Sequence, residues 1–131
     1  MSALERLSAL VAARLRTPFA WGVHDCCLWA ADAVLAQTGR DPAAAWRGTY
    51  SSRRGAAAVL RQAGGLRAVA ALAGREVPAA AALPGDVGLL QRPGGRLLGV
   101  CAGGSWLVAS RGGLVAVPAE AAIAAWRCGD G

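Results

Sequence analysis

A chain of 131 residues is long enough for one domain that buries most of its apolar surface without disulfide staples. Its hydrophobic fraction of 55% rests on 32 alanines, and its formal charge of +6 on 14 arginines with no lysine. Those arginines are spread from Arg6 to Arg127 with only Arg53 and Arg54 adjacent, so neither a basic helix face nor an aromatic ladder supports nucleic acid as the primary partner.

Ser2 and Glu5 form a capping box that opens a helix with Leu4, Leu7, Leu10, Val11 and Leu15 on one face. Pro18 stops it, because the residue before a proline avoids helical geometry. An aromatic-glycine knuckle, Trp21-Gly22, then leads to Asp25, a strong N-cap residue for a helix reaching Thr38 and closed by Gly39. Leu28, Trp29, Ala30, Ala31, Ala33, Val34, Leu35 and Ala36 leave that helix apolar on nearly all sides, interrupted only by Asp32, so it belongs inside a core. Asp41-Pro42 starts a turn that runs to Trp46-Arg-Gly-Thr-Tyr50. Ser51 caps a third helix to Ala63, Gly64-Gly65 ends it, and Leu66 to Ala73 reads as a short fourth helix.

Val77 to Pro84 reads as irregular. Beyond it, Val87–Gln91, Arg96–Ala102, Ser105–Ala109 and Leu114–Val117 read as strands joined by glycine-rich turns. Pro118 at a first helical position predicts a last helix ending near Trp126. Helices first and an antiparallel meander after make an α+β plan. Neither half alone has enough non-alanine apolar bulk for a core, so residues 1–131 read as a single domain.

Cys26 falls at the first position of the central helix, where unpaired N–H groups and the helix dipole favour a thiolate. Two readings of it stand side by side: a reactive thiol, or a small buried residue where helix meets sheet. His24, the only histidine, is either a base for that thiol or a hydrogen-bonding residue of the turn entering the helix. Asp86 reads as structural, bonding N–H groups in the turn before the first strand. No cysteine or histidine spacing matches a zinc site, and no glycine-rich loop carries a lysine for phosphate, so no metal or cofactor is expected. No secretory h-region and no apolar run approaching the ~20 residues of a membrane span is visible.

The order of these elements, with Asp25-Cys26 opening the core helix before the sheet, resembles the NlpC-type branch of papain-like cysteine peptidases, which hydrolyse peptide bonds in bacterial cell walls. The segments Pro18-Phe-Ala-Trp-Gly-Val-His-Asp-Cys26, Thr38-Gly-Arg-Asp41, Arg47-Gly-Thr-Tyr50 and Gly85-Asp-Val87 are similar to a family of small proteins of tailed phages and prophages. Leu98-Gly-Val-Cys101, Gly113-Leu114 and Ala125-Trp-Arg127 fit the same pattern.

The resemblance implies a papain-like α+β fold with N-terminal helices on an antiparallel meander, and Cys26 at the nucleophile position. Trp21, Gly22, Asp25 and Asp86 become structural residues of the motif. Leu97 occupies the place of the catalytic histidine at the start of its strand. The face carrying Leu97, Gly99 and Cys101 is expected to look towards Cys26, which makes a Cys26–Cys101 contact an expectation.

The function that follows is a structural or assembly role at a phage tail tip, on a catalytically degenerate peptidase fold. The alternative is an active cysteine hydrolase of wall peptides with Cys26 as nucleophile and His24 as an unconventional base. The partners implied are other phage tail proteins, with peptidoglycan under the alternative. Trp46, Arg47 and Tyr50 form a candidate docking patch, because Trp, Arg and Tyr dominate binding hot spots. The place implied is the host cytoplasm during assembly and then the virion tail.

Overall fold

The computed structural model describes residues 1–129. Helix α1 (Ala3–Arg14) is opened by the Ser2/Glu5 capping box, in which each side chain accepts from the other residue's backbone N–H. Helix α2 (Cys26–Thr38) is capped by Asp25 at one end and by left-handed Gly39 at the other. Helix α3 (Arg53–Ala63) is capped by Ser52, one residue later than the sequence indicates, and α4 (Leu66–Ala71) follows at once.

Six strands follow: β1 (Arg75–Val77), β2 (Val87–Arg92), β3 (Gly95–Cys101), β4 (Ser105–Ser110), β5 (Gly113–Pro118) and β6 (Ala122–Arg127). All pair antiparallel, in the order β1-β6-β2-β3-β4-β5. The meander β2 to β5 is the one the sequence indicates. The closing segment is not the expected helix. Pro118 opens a single 3-10 turn over Ala119–Ala121, and the chain then enters the sheet between β1 and β2. Both faces of β6 are covered: Ala124 and Trp126 pack on the helix side, and Ala125 on the other. A short alanine-rich run buried on both faces has no alternation to distinguish it from a helix. The three-residue β1, which lies just before and into the stretch read as irregular, exists because β6 gives it a partner.

The helices cover one face of the sheet. Ala30 and Val34 of α2 and Val69 and Ala70 of α4 meet Val87, Leu89, Leu98, Ala124 and Trp126. Leu7 of α1 joins Trp29, Ala33 and Val100 in a second cluster. On the far face lie Val77, Leu90, Cys101, Trp106, Val108, Val117 and Ala125. Trp106 lies so close over β2 that a Cβ on Gly88 would come within 2.5 Å of its ring.

This arrangement corrects the expected orientation of β3. Leu98 and Val100 face the helices, whereas Leu97 and Cys101 face Trp106 on the opposite side. Alternation along a strand then puts Arg96 on the helix side. Cys101 therefore does not share a face with Cys26. Its thiol donates to the Gly103 carbonyl at 3.6 Å.

Candidate functional site

Asp25 organises the entry to α2. Its backbone is extended; Oδ1 accepts from the Leu28 N–H at 2.9 Å, and Oδ2 accepts from the Gly22 N–H at 3.0 Å and from the Tyr50 hydroxyl. Gly22 has φ +78°, and a Cβ there would come within 2.0 Å of the Tyr50 carbonyl oxygen. Only glycine lets residue 50 close over this loop. Burial and the Asp25 carboxylate together push the Tyr50 hydroxyl well above the usual phenol range, so it stays a proton donor.

Cys26 is thereby fixed at the first turn of α2, half-buried. The neighbouring Cys27 thiol favours its ionised form, which outweighs burial, and the backbone N–H groups of Leu98 and Cys27 act in the same direction. Its acidity is raised, while Cys27 is pushed far above the usual thiol range. Strand β4 pairs with β3 only at Val100 and Cys101, so Leu98 has no partner in β4. The arrangement can hold a thiolate.

His24 serves a different neighbourhood. It is 1% exposed, its Nδ1 lies 3.3 Å from the Arg14 guanidinium, and its ring meets Trp29 edge-on at 5.8 Å. With Nδ1 accepting from Arg14, the ring proton belongs on Nε2, which has no hydrogen-bond partner among the described residues. Burial, and then the Arg14 charge, pull its pKa below the ordinary imidazole value. The backbone of His24 closes a turn with Ala20 in both directions, at 2.8 and 3.1 Å. The described contacts of the ring thus run towards α1 and the core of α2.

Arg14 leads to the network that explains the one charge in α2. Asp32 accepts from Arg14 at 2.6 Å and from Arg47 at 2.7 Å, and Arg47 also bonds Asp41 at 2.7 Å. Arg47 lowers the Asp41 carboxyl below its usual range. The residues expected to form an outward docking patch thus point their polar ends inward: Arg47 onto Asp32 and Asp41, and Tyr50 onto Asp25. Trp46 is partly buried against two core clusters. Asp86 bonds the Leu83 N–H at 2.8 Å and takes a two-point contact from Arg127 at 2.9 and 3.2 Å, tying the start of β2 to the end of β6.

The ion pairs of Asp32 and Asp86 join residues far apart in the sequence, and no local signature gives their partners. An isolated charge within an otherwise apolar helix was the available signal for the first. Among the described residues no group of three or more His, Cys, Asp or Glu side chains could hold a metal ion.

A cavity of 150 Å³ opens beside Cys26. It is lined by Trp21, Trp46 and Tyr50, by Val59 and Leu60 of α3, by Leu66 and Val69 of α4, and by Arg96 of β3. The structure therefore brings Trp21, Gly22, Asp25, Cys26, Trp46 and Tyr50 together. His24 does not line this cavity, and Asp86 stands at the other end of the sheet's first hairpin.

The fold is similar to the NlpC/p60 domain in the crystal structure of the peptidoglycan hydrolase SagA. That likeness has a TM-score of 0.60, covers 97% of this chain and 99% of that one, and carries 20% sequence identity. It establishes the mixed α/β architecture, with N-terminal helices on an antiparallel sheet. A comparison with curated protein sequences finds no match. Residues 3–128 match the family described as "Domain of unknown function (DUF6950)", and the chain belongs to that family.

Proposed function

We propose that this protein is a catalytically degenerate NlpC-type domain with a structural or assembly role at a phage tail tip. The observation that carries the degenerate half is the surroundings of Cys26. The sulfur has donors that favour a thiolate, but the only histidine turns its ring to Arg14 and Trp29. A cysteine hydrolase needs a base that also protonates the leaving amine, and geometry comes before acidity in choosing one. The tail-tip setting rests on the sequence motifs at 18–26, 38–41, 47–50 and 85–87.

The second reading, a cysteine hydrolase of wall peptides, is favoured by one specific feature, the increased acidity of Cys26 at a helix N-terminus. Purified protein incubated with bacterial sacculi separates the two. No peptide release beyond that of Cys26→Ser is expected; release that disappears in Cys26→Ser overturns the degenerate reading. The assembly half is tested by peptide mass spectrometry on purified tails and on tail intermediates from a host carrying the gene. The protein is expected in at least one of these, and its absence from both rejects the role.

A further inference from the structure

The cavity beside Cys26 has a size, a lining and a charge that together describe a ligand. Its 150 Å³ match the volume at which an apolar protein cavity accepts one benzene ring. Trp21, Trp46, Tyr50, Val59 and Leu60 supply an aromatic and branched-aliphatic wall suited to such a group. Of the ionisable groups in the lining, Asp25 is already satisfied by two N–H groups and the Tyr50 hydroxyl. Cys26 and Cys27 offer no positive charge as thiol or thiolate.

Arg96 is the exception. It is exposed, and its Nε donates to the neutral Gln91 Oε1 at 3.0 Å. Its two terminal nitrogens have no protein acceptor among the described residues. A guanidinium with a free fork at the edge of an apolar cavity matches a carboxylate. Asp32, Asp41 and Asp86 do not compete for it, because they are committed to Arg14, Arg47 and Arg127.

We infer that this cavity is a binding site for a carboxylate carrying one ring-sized apolar group, with the ring inside and the carboxylate on Arg96. This goes beyond the assembly reading and holds whether or not the domain serves in a tail. The same chemistry occurs in a free aryl-alkyl acid and in the C-terminal Phe of a peptide.

The test is calorimetric titration with 3-phenylpropionate against its uncharged twin 3-phenylpropanamide. The indole N–H signals of Trp21 and Trp46, followed by NMR, locate the site. The acid is expected to bind about tenfold more tightly than the amide, and the two should become equal in Arg96→Gln. Arg96 is exposed, so that variant keeps its fold, and a cavity-filling Val59→Phe should abolish binding of both probes. No binding up to about 10 mM overturns the inference, as does equal affinity of acid and amide in the wild-type protein. An unchanged preference in Arg96→Gln does the same. The peptide Gly-Gly-Phe, with its C-terminal amide as control, separates the sources. Binding equal to 3-phenylpropionate supports the site as a reader of chain ends, and weaker binding supports it as a small-molecule site.

Discussion

Asp25 is a buried carboxylate held by neutral donors alone, and it joins three pieces of chain: the 20–25 turn, the first turn of α2, and Tyr50. Removing it strands the Gly22 N–H and the Tyr50 hydroxyl as well as the helix cap. Asp25→Ala should therefore cost about 2–4 kcal/mol, more than an ordinary cap deletion. Tyr50→Phe removes one of the donors and should cost about 1 kcal/mol. Urea denaturation of both variants checks the order, and equal losses would mean that the Tyr50 bond carries the whole contribution of Asp25. The Asp25 cap could be read from sequence because its helix partner is three residues away. Its bond to Tyr50 could not, since 25 residues of chain separate the two.

Cys26 gives a second prediction at this scale. Iodoacetamide labelling should rise with pH at a midpoint below the ~8.5 of a free thiol, and Cys27 should stay unlabelled until the protein unfolds. Site-resolved mass spectrometry reads both, and a Cys26 midpoint at or above that of a free thiol would remove the thiolate.

Among the elements, α3 and α2 are opposites. Most residues of α2 are buried, whereas α3 has none that is, although both carry a side-chain N-cap and a left-handed glycine at the C-terminus. Capping places a helix; burial decides how tightly it is held. Amide hydrogen exchange in α3 should run at least about tenfold faster than in α2, because helix opening there uncovers little apolar surface. Equal protection would show that α3 unfolds only with the whole domain. The helices could be read from sequence because caps, glycines and apolar runs are local. The segment 119–127 reads as a helix in sequence and is a 3-10 turn and a strand in the fold for the opposite reason. Its alanines fit either period, and what makes β6 a strand is the pair of edges supplied by β1 and β2. The orientation of β3 was also beyond local reading, since a one-residue change of face moves Leu97 and Leu98 to opposite sides of the sheet.

For the molecule as a whole, pH ties the polar interior to stability, and the sign follows from two groups. His24 is buried against the Arg14 cation, so its pKa in the folded protein lies below the ordinary 6.5. Below about pH 6.5 the unfolded chain takes up a proton that the folded protein resists, and stability falls as pH drops towards the folded value. The slope this one site can give is at most about 1.4 kcal/mol per pH unit. Asp41 works in a lower window. Arg47 holds its carboxyl below 3.8, so the stability from that pair persists at higher pH and is lost as pH falls from there. Partial exposure of both partners keeps its contribution small. Between about pH 6.5 and 5 the loss should therefore belong to His24. His24→Asn, which cannot titrate, should show a nearly flat urea midpoint over that interval, while the wild-type midpoint falls with acid. An unchanged acid slope in the variant would assign the loss to other groups and leave the unpartnered Nε2 of His24 without energetic consequence in that range.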